Sequence, residues 1–286
     1  MRLKMLVGRW ISLAIACLGI ALPAAAQTPS PLNFWQFSAG QVLAPYNDEG
    51  PKWLVLAGPS IVYQSKYEGS KGYELQPGAA IDIRYRGRLY LSTGEGIGYD
   101  IFRGKNYRLG AGIAYDIGRR DNHNGIRGLG DIDPTPQAKI YGDYVFRPRV
   151  MGHGVPLIVS VDVRRAIGGY DGFIANVGTY MPIAGSEADR YFLFLGASGT
   201  YWDNRTATTY FGVTPAQSAR SGLPVFTAKS GPESFGAGLS GGWFMTEHWL
   251  LAGDLAVKRI LTDYNKSPIV QEPWSAFASL TIAYAF

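Results

Sequence analysis

A single cysteine, Cys17, occurs in 286 residues, so the chain can form no internal disulfide. Cys17 lies in an N-terminal stretch with the layout of an export leader. Arg2, Lys4 and Arg9 give a positive start, "WISLAIACLGIAL" (10–22) an apolar core, and Ala24-Ala25-Ala26 a cleavage site before Gln27. Lipoprotein processing at Cys17 would cut that core short and would follow a poor residue, Ala14, three places earlier. With cleavage after Ala26, residues 27–286 carry no thiol nucleophile and no thiolate metal ligand. They also contain no run of about 18 apolar residues, which excludes a helical span. Charge of one sign is not in excess either. Three of the 27 basic side chains leave with the leader, and the 24 that remain face 22 acidic ones, which is no footprint for nucleic acid. Histidine is scarce: His123 and His153 fall in connections and His248 at a strand start. None stands mid-strand on an apolar face, so the sequence offers no hydrolase centre and reads as a non-enzyme without a cofactor.

What the chain does have is glycine (37 residues), tyrosine (18) and alternation. Residues 32–44, 53–65, 73–86, 88–101, 106–118, 136–147, 155–166, 171–183, 189–202, 233–245, 248–260 and 274–286 form alternating segments between turn-rich stretches. In 106–118, Leu109, Ala111, Ile113 and Tyr115 share one face, and Arg108, Gly110, Gly112 and Asp116 the other. In 155–166, Val159, Val161 and Val163 oppose Ser160, Asp162 and Arg164. A soluble sandwich would also show one apolar face. Strand length, strand number and the ending "ASLTIAYAF" (278–286) favour a membrane instead, which strands can cross only as a closed ring. The expectation is an all-β protein: a leader over 1–26, then a closed antiparallel transmembrane β-barrel of about 12 strands over 27–286, in the outer membrane of a Gram-negative cell. Tyr284 and Phe286, on the apolar face of the last strand, are the expected barrel-assembly signal. Outer-membrane lipid and the barrel-assembly machinery are therefore the expected partners. Trp35, Trp53, Tyr85, Tyr99, Tyr144, Trp202, Trp243 and Trp249 are placed for interfacial girdles. Glu95 is a misfit, on the apolar side of its strand unless Gly94 or Gly96 marks a bulge.

If Phe286 ends at the periplasmic side, counting strands backwards assigns the connections. "YEGSKG" (67–72), "FRGKN" (102–106), "RPRVMGHG" (147–154), "PIAGSEAD" (182–189) and "TEH" (246–248) become periplasmic turns. "RGR" (86–88), 119–135, 203–232 and 261–273 become outer loops, so nearly all long connections share one side. Within 203–232, Thr214 before Pro215, with Gln217 three residues on, is a capping box, and Gly222 is a natural stop. A short helix is expected at about 215–221 in this long outer loop, lying over the barrel mouth or folded into it. The loop 119–134 gathers Asp121, Asn122, Asn124, Asp131 and Asp133; their spacing does not match a calcium-binding loop, and they read as turn residues.

Asp82, Arg84, Arg108, Asp116, Lys139, Asp143, Asp162, Arg164, Asp254 and Lys258 fall on inward faces. They admit two readings: a salt-bridged network filling a narrow lumen, or the lining of a small aqueous pore. Inward Gly110, Gly112, Gly236, Gly238 and Ser240 leave room, whereas the mixed charge favours mutual pairing.

Four segments, "YEGS" (67–70), "GLGD" (128–131), "YFGVTPAQSARSGLP" (210–224) and "SPIV" (267–270), occur in an order that resembles the MipA/OmpV family of outer-membrane proteins. The resemblance runs over roughly 53–286. Its most specific part is the outer loop with Phe211, Gly212, Ser218, Arg220, Ser221 and Gly222. It departs from the family pattern at Asp263-Tyr264-Asn265-Lys266, where a Gly-Asp-Ala run often precedes the Ser-Pro. The resemblance implies an outer-membrane barrel acting as a scaffold between a lytic murein transglycosylase and a penicillin-binding murein synthase. A passive small-solute channel with a narrow charged lumen is the alternative.

Overall fold

The computed structural model describes residues 52–150, 153–186 and 188–286. The leader, Trp35 and the expected strand 32–44 lie outside the described residues. The elements are β1 (Trp53–Ser65), β2 (Tyr73–Tyr85), β3 (Leu89–Ser92), β4 (Gly96–Arg103), β5 (Tyr107–Asp116), β6 (Thr135–Phe146), β7 (Arg149–Val150), β8 (His153–Gly154), β9 (Leu157–Ala166), β10 (Phe173–Ser186), β11 (Tyr191–Trp202), α1 (Asn204–Phe211), α2 (Pro215–Ser221), β12 (Gly231–Phe244), β13 (Trp249–Ile260) and β14 (Trp274–Ala285). All strands but the small β7–β8 hairpin join one closed barrel, in the order β1-β14-β13-β12-β11-β10-β9-β6-β5-β4-β3-β2. The last strand closes on the first: β14 pairs antiparallel with β1 from Leu56↔Ala285 to Tyr63↔Ala278. The Phe286 N–H donates to the Val55 carbonyl at 3.0 Å, so the terminal residue is tied into the seam.

The alternation sorts side chains as a membrane wall requires. Along β6, Gln137, Lys139, Tyr141, Asp143 and Val145 are buried, while Ile140, Tyr144 and Phe146 face out. The outward side chains are large and apolar, with Ile113 53%, Ile140 64%, Leu255 60% and Leu280 54% exposed. Such a continuous belt is untenable in water but is solvated by hydrocarbon, and the ring leaves no unpaired seam. A 13-residue strand such as β1 is about 43 Å long and, tilted by about 40°, rises about 33 Å, enough to cross an apolar layer about 30 Å deep. The protein is an outer-membrane β-barrel.

Two features differ from the expectation and are linked. Segment 88–101 is a hairpin rather than one strand: β3 and β4 turn at Thr93-Gly94-Glu95, so the ring reaches twelve strands without 32–44. Thr93 ends the β2–β3 ladder by donating its N–H to Ile81 and accepting the Ile81 N–H on its hydroxyl, at 3.0 and 3.2 Å. Glu95 thus lies in the turn and reaches buried Arg84. The register shift lies further on, between Asp100 and Phe102, and leaves Ile101 and Phe102 both outward. The added reversal moves everything before it to the other side. Loop 66–72 joins 93–95, 117–134, 167–172, 203–230 and 261–273 at one end, while turn 86–88 joins 104–106, 147–156, 187–190 and 245–248 at the other. The three longest connections, 117–134, 203–230 and 261–273, share the outer end, as the expectation had it.

Helix α2 occupies the expected residues, with Thr214 and Gln217 bonded reciprocally and Gly222 left-handed at φ 75°. The sequence reading contains no counterpart of α1, whose N-cap Asp203 accepts the Thr206 N–H at 2.9 Å. Trp202 is no girdle residue: it is 0% exposed and faces into the mouth, whereas Trp53, Trp243 and Trp249 stand outward near the short-turn end.

Candidate functional site

Inside the ring most of the charges are paired. Arg84 bonds Asp82 at 2.8 Å and Glu95 at 2.7 Å. Arg108 pairs with Asp143 and lies 3.6 Å from Glu95 and 3.9 Å from Asp100. Lys139 donates to the Glu95 carbonyl at 2.8 Å and sits over the Tyr90 and Tyr141 rings, at 5.3 and 4.9 Å. Tyr141 donates to Asp100 at 2.6 Å, and Arg103 approaches Asp100 to 3.9 Å. Further round the wall, Arg164 pairs with Asp162, which also accepts from Asn176. Asp254 accepts the Ser240 and Ser279 hydroxyls. Val62, Val145, Ile158, Tyr180, Ala256 and Phe277 add an apolar layer within the ring. Glu95 was marked in the sequence only as a misfit, and Asp100 and Tyr90 not at all, yet with Tyr141 they bind the candidate charges together. The hairpin signal Thr93-Gly94-Glu95-Gly96 could have found Glu95.

The remaining two lumen candidates belong to the mouth. Asp116, at the rim end of β5, accepts hydrogen bonds from Tyr210 at 2.7 Å, Tyr170 at 2.8 Å and the Gly118 N–H at 2.9 Å. Burial, and then the Asp116 charge, raises the pKa of the Tyr210 phenol well above its usual value, which keeps it a donor. Lys258 pairs with Glu68 at 2.5 Å and Glu233 at 3.2 Å, tying the "YEGS" loop to the wall.

Above these anchors the four motif segments meet in one cap, because the reversal at β3–β4 brings loop 66–72 to the same end as the others. Tyr67, Ile126, Leu129, Val213 and Ile269 form one buried cluster of the cap. Phe211 is 0% exposed, stacked between Trp202 at 5.3 Å and Tyr264 at 5.2 Å, and its carbonyl accepts the Ser267 hydroxyl at 2.6 Å. Gly212 closes α1 by donating to Thr208 at 2.9 Å. Ser218 accepts the Gly222 N–H on its carbonyl, Ser221 bonds the Gln217 carbonyl at 2.7 Å, and Arg220 donates to the Gly128 carbonyl at 3.1 Å. Two motif glycines answer the same packing. Gly69 (φ 87°) and Gly128 (φ 87°) are left-handed, and a Cβ on either would lie about 3 Å from the backbone of Val270 or Arg220. The motif residues therefore build a lid rather than a reactive centre. The acids of loop 119–134 shape their own turn: Asp121 accepts the Gly128 and Gly130 N–H groups, and Asp131 accepts from Arg120 and the Asp121 N–H. Tyr284 stands at the opposite rim, edge-on to Trp249 at 5.1 Å and Phe286 at 4.9 Å, with Phe286 76% exposed.

A protein-family model described as MltA-interacting protein MipA matches residues 57–286. Among solved structures, an outer membrane channel of Pseudomonas putida F1 is 10% identical with a TM-score of 0.44, the match covering 83% of this chain and 97% of that one. OprB of Pseudomonas putida is 15% identical with a TM-score of 0.35, covering 76% and 50%. Outer membrane phospholipase A of Escherichia coli is 8% identical with a TM-score of 0.30, covering 82% and 96%. No curated protein matches the chain in sequence.

Proposed function

Because this chain belongs to the MltA-interacting protein MipA family, we propose that it is a non-enzymatic scaffold that holds murein enzymes against the periplasmic face of the outer membrane. The observation that carries this reading is the charge of the short-turn end. Among its described residues, Lys52, Arg86, Lys105, Arg147 and Arg190 are exposed, against exposed Asp189 and Glu247. Arg86 and Arg190 hold left-handed backbone, φ 49° and 58°, in turns where glycine or asparagine is the unstrained choice. An unfavourable residue kept at a turn tip points to a use for its side chain. A basic rim suits an acidic patch on a lytic transglycosylase, with a penicillin-binding synthase as second client, and would set association rate and salt dependence. The export leader, cleaved before Gln27, belongs to the same proposal.

The competing reading, a narrow charged channel, needs a water path between groups that are paired to one another. Immobilised barrel should retain a purified lytic transglycosylase at low salt and release it as salt rises. Arg86→Ser/Arg147→Ser/Arg190→Ser should abolish retention, and no retention by the unaltered barrel at low salt overturns the scaffold. In planar bilayers the scaffold stays silent; regular conductance steps would instead favour the channel.

A further inference from the structure

The cap contains a buried cation that has no ion pair among the described residues. Arg119 follows β5 and is fixed by reciprocal backbone hydrogen bonds with Ile132, at 2.9 and 2.7 Å. It is 2% exposed. Its Nη1 donates to the Tyr210 carbonyl at 2.8 Å, and its Nε is buried without a hydrogen-bond partner. Among the described residues, no carboxylate forms an ion pair with it, whereas Arg120 has Asp131, and Arg165 and Arg205 share Asp171. Burial holds the pKa of Arg119 below the ordinary arginine value. A guanidinium nevertheless keeps its proton in a protein, so the charge persists where an unpaired ion is strongly disfavoured.

Arg119 is also part of the wall of a cleft of about 510 Å³ in the outer cap, a volume typical of small-molecule sites. Asn204, Thr208 and Thr209 of α1 and Thr214 before α2 bring polar groups to the same cleft. Asp131 and Arg205 line it too, but each is ion-paired, whereas Arg119 feels Asp121 only at a distance and has no ion pair among the described residues. The Nε–Nη2 edge is the edge of a guanidinium that receives a carboxylate or phosphate through two parallel hydrogen bonds. We propose that this cleft binds a small acidic sugar, whose carboxylate or phosphate takes the free edge of Arg119 while its hydroxyls meet the polar side chains of α1. The site opens on the outer face and is independent of the periplasmic scaffold.

Two sources share this chemistry, a free solute and the acidic sugars of lipopolysaccharide. Titration calorimetry on the folded barrel in lipopolysaccharide-free nanodiscs, with glucuronate and glucose 6-phosphate as probes and glucose as the neutral control, decides the matter. The acidic probes should bind and glucose should bind far more weakly. Arg119→Gln, which keeps a donor for the Tyr210 carbonyl, should weaken acid binding by about tenfold or more. Thr209→Trp, which fills the cleft and leaves Arg119 in place, should weaken it as well, so a folding defect in one variant does not stand alone. Repeating the titration with lipopolysaccharide present distinguishes the sources: competition assigns the site to the lipid, and undiminished binding to a free solute. No binding of either acidic probe to the unaltered barrel, or equal binding by Arg119→Gln, overturns the proposal.

Discussion

Glu95→Gln removes one charge and almost no volume from the centre of the lumen. Arg84, Arg103, Arg108 and Lys139 stand there against Asp82, Glu95, Asp100 and Asp143, a balanced set before the change. The side chains of Arg84, Arg108 and Glu95 are 2%, 6% and 11% exposed, so the positive charge left over could not be screened by bulk water. Breaking a buried pair from one side costs about 3–5 kcal/mol, whereas a hydrated pair is worth about 1 kcal/mol or less. The two regimes correspond to the two lumen readings, a packed interior and a wet pore. Equilibrium urea unfolding of the purified barrel in detergent micelles measures the difference. The packed lumen predicts a loss within the larger range, and a second change, Lys139→Met, restores neutrality and should recover a good part of it. A loss of about 1 kcal/mol or less for Glu95→Gln alone would refute the reasoning, because that carboxylate would then be in contact with water and the lumen open.

Deleting Phe286 removes the exposed terminal ring and the hydrogen bond to Val55; the yield of heat-modifiable barrel in the membrane should fall, and an unchanged yield would count against Phe286 as the assembly signal. Lys258→Met leaves Glu68 and Glu233 buried at 5% and 0% exposure without the cation they share, so loop 66–72 should detach. External protease should then cleave at Lys66 or Lys71 in intact cells, where the unaltered barrel resists.

The wall was legible from sequence because a barrel strand separates two solvents residue by residue. Leu109, Ile113 and Tyr115 against Arg108 and Asp116 state the lipid and lumen faces of β5 without reference to any other strand. The cap helix α2 was legible for a similar reason, since Thr214, Pro215, Gln217 and Gly222 carry its start and stop locally. Helix α1 was not, because its apolar face is explained only by Ile132, Ile174, Ile260 and Tyr264 in distant parts of the chain. Arg119 is likewise invisible in one dimension. It stands among turn residues, and only the fold shows that it is buried and that no carboxylate among the described residues forms an ion pair with it.

The hairpin β3–β4 marks where local reasoning failed, and its consequences reach both ends of the molecule. Fourteen residues, 88–101, fit one membrane strand by length and nearly by alternation, with Glu95 the single contradiction. Reading that contradiction as a bulge keeps one strand, and reading it as a turn tip makes two. The energetics favour the turn. A regular strand would leave the Glu95 carboxylate facing lipid, whereas the turn gives it Arg84 and Arg108. Every assignment upstream then changes side. Glu68 moves from the periplasm to the cap, where Lys258 holds it, and Arg86 moves from the outer face to the periplasmic rim that also carries Arg147. The closed mouth and the basic rim both follow from where one carboxylate finds its cations.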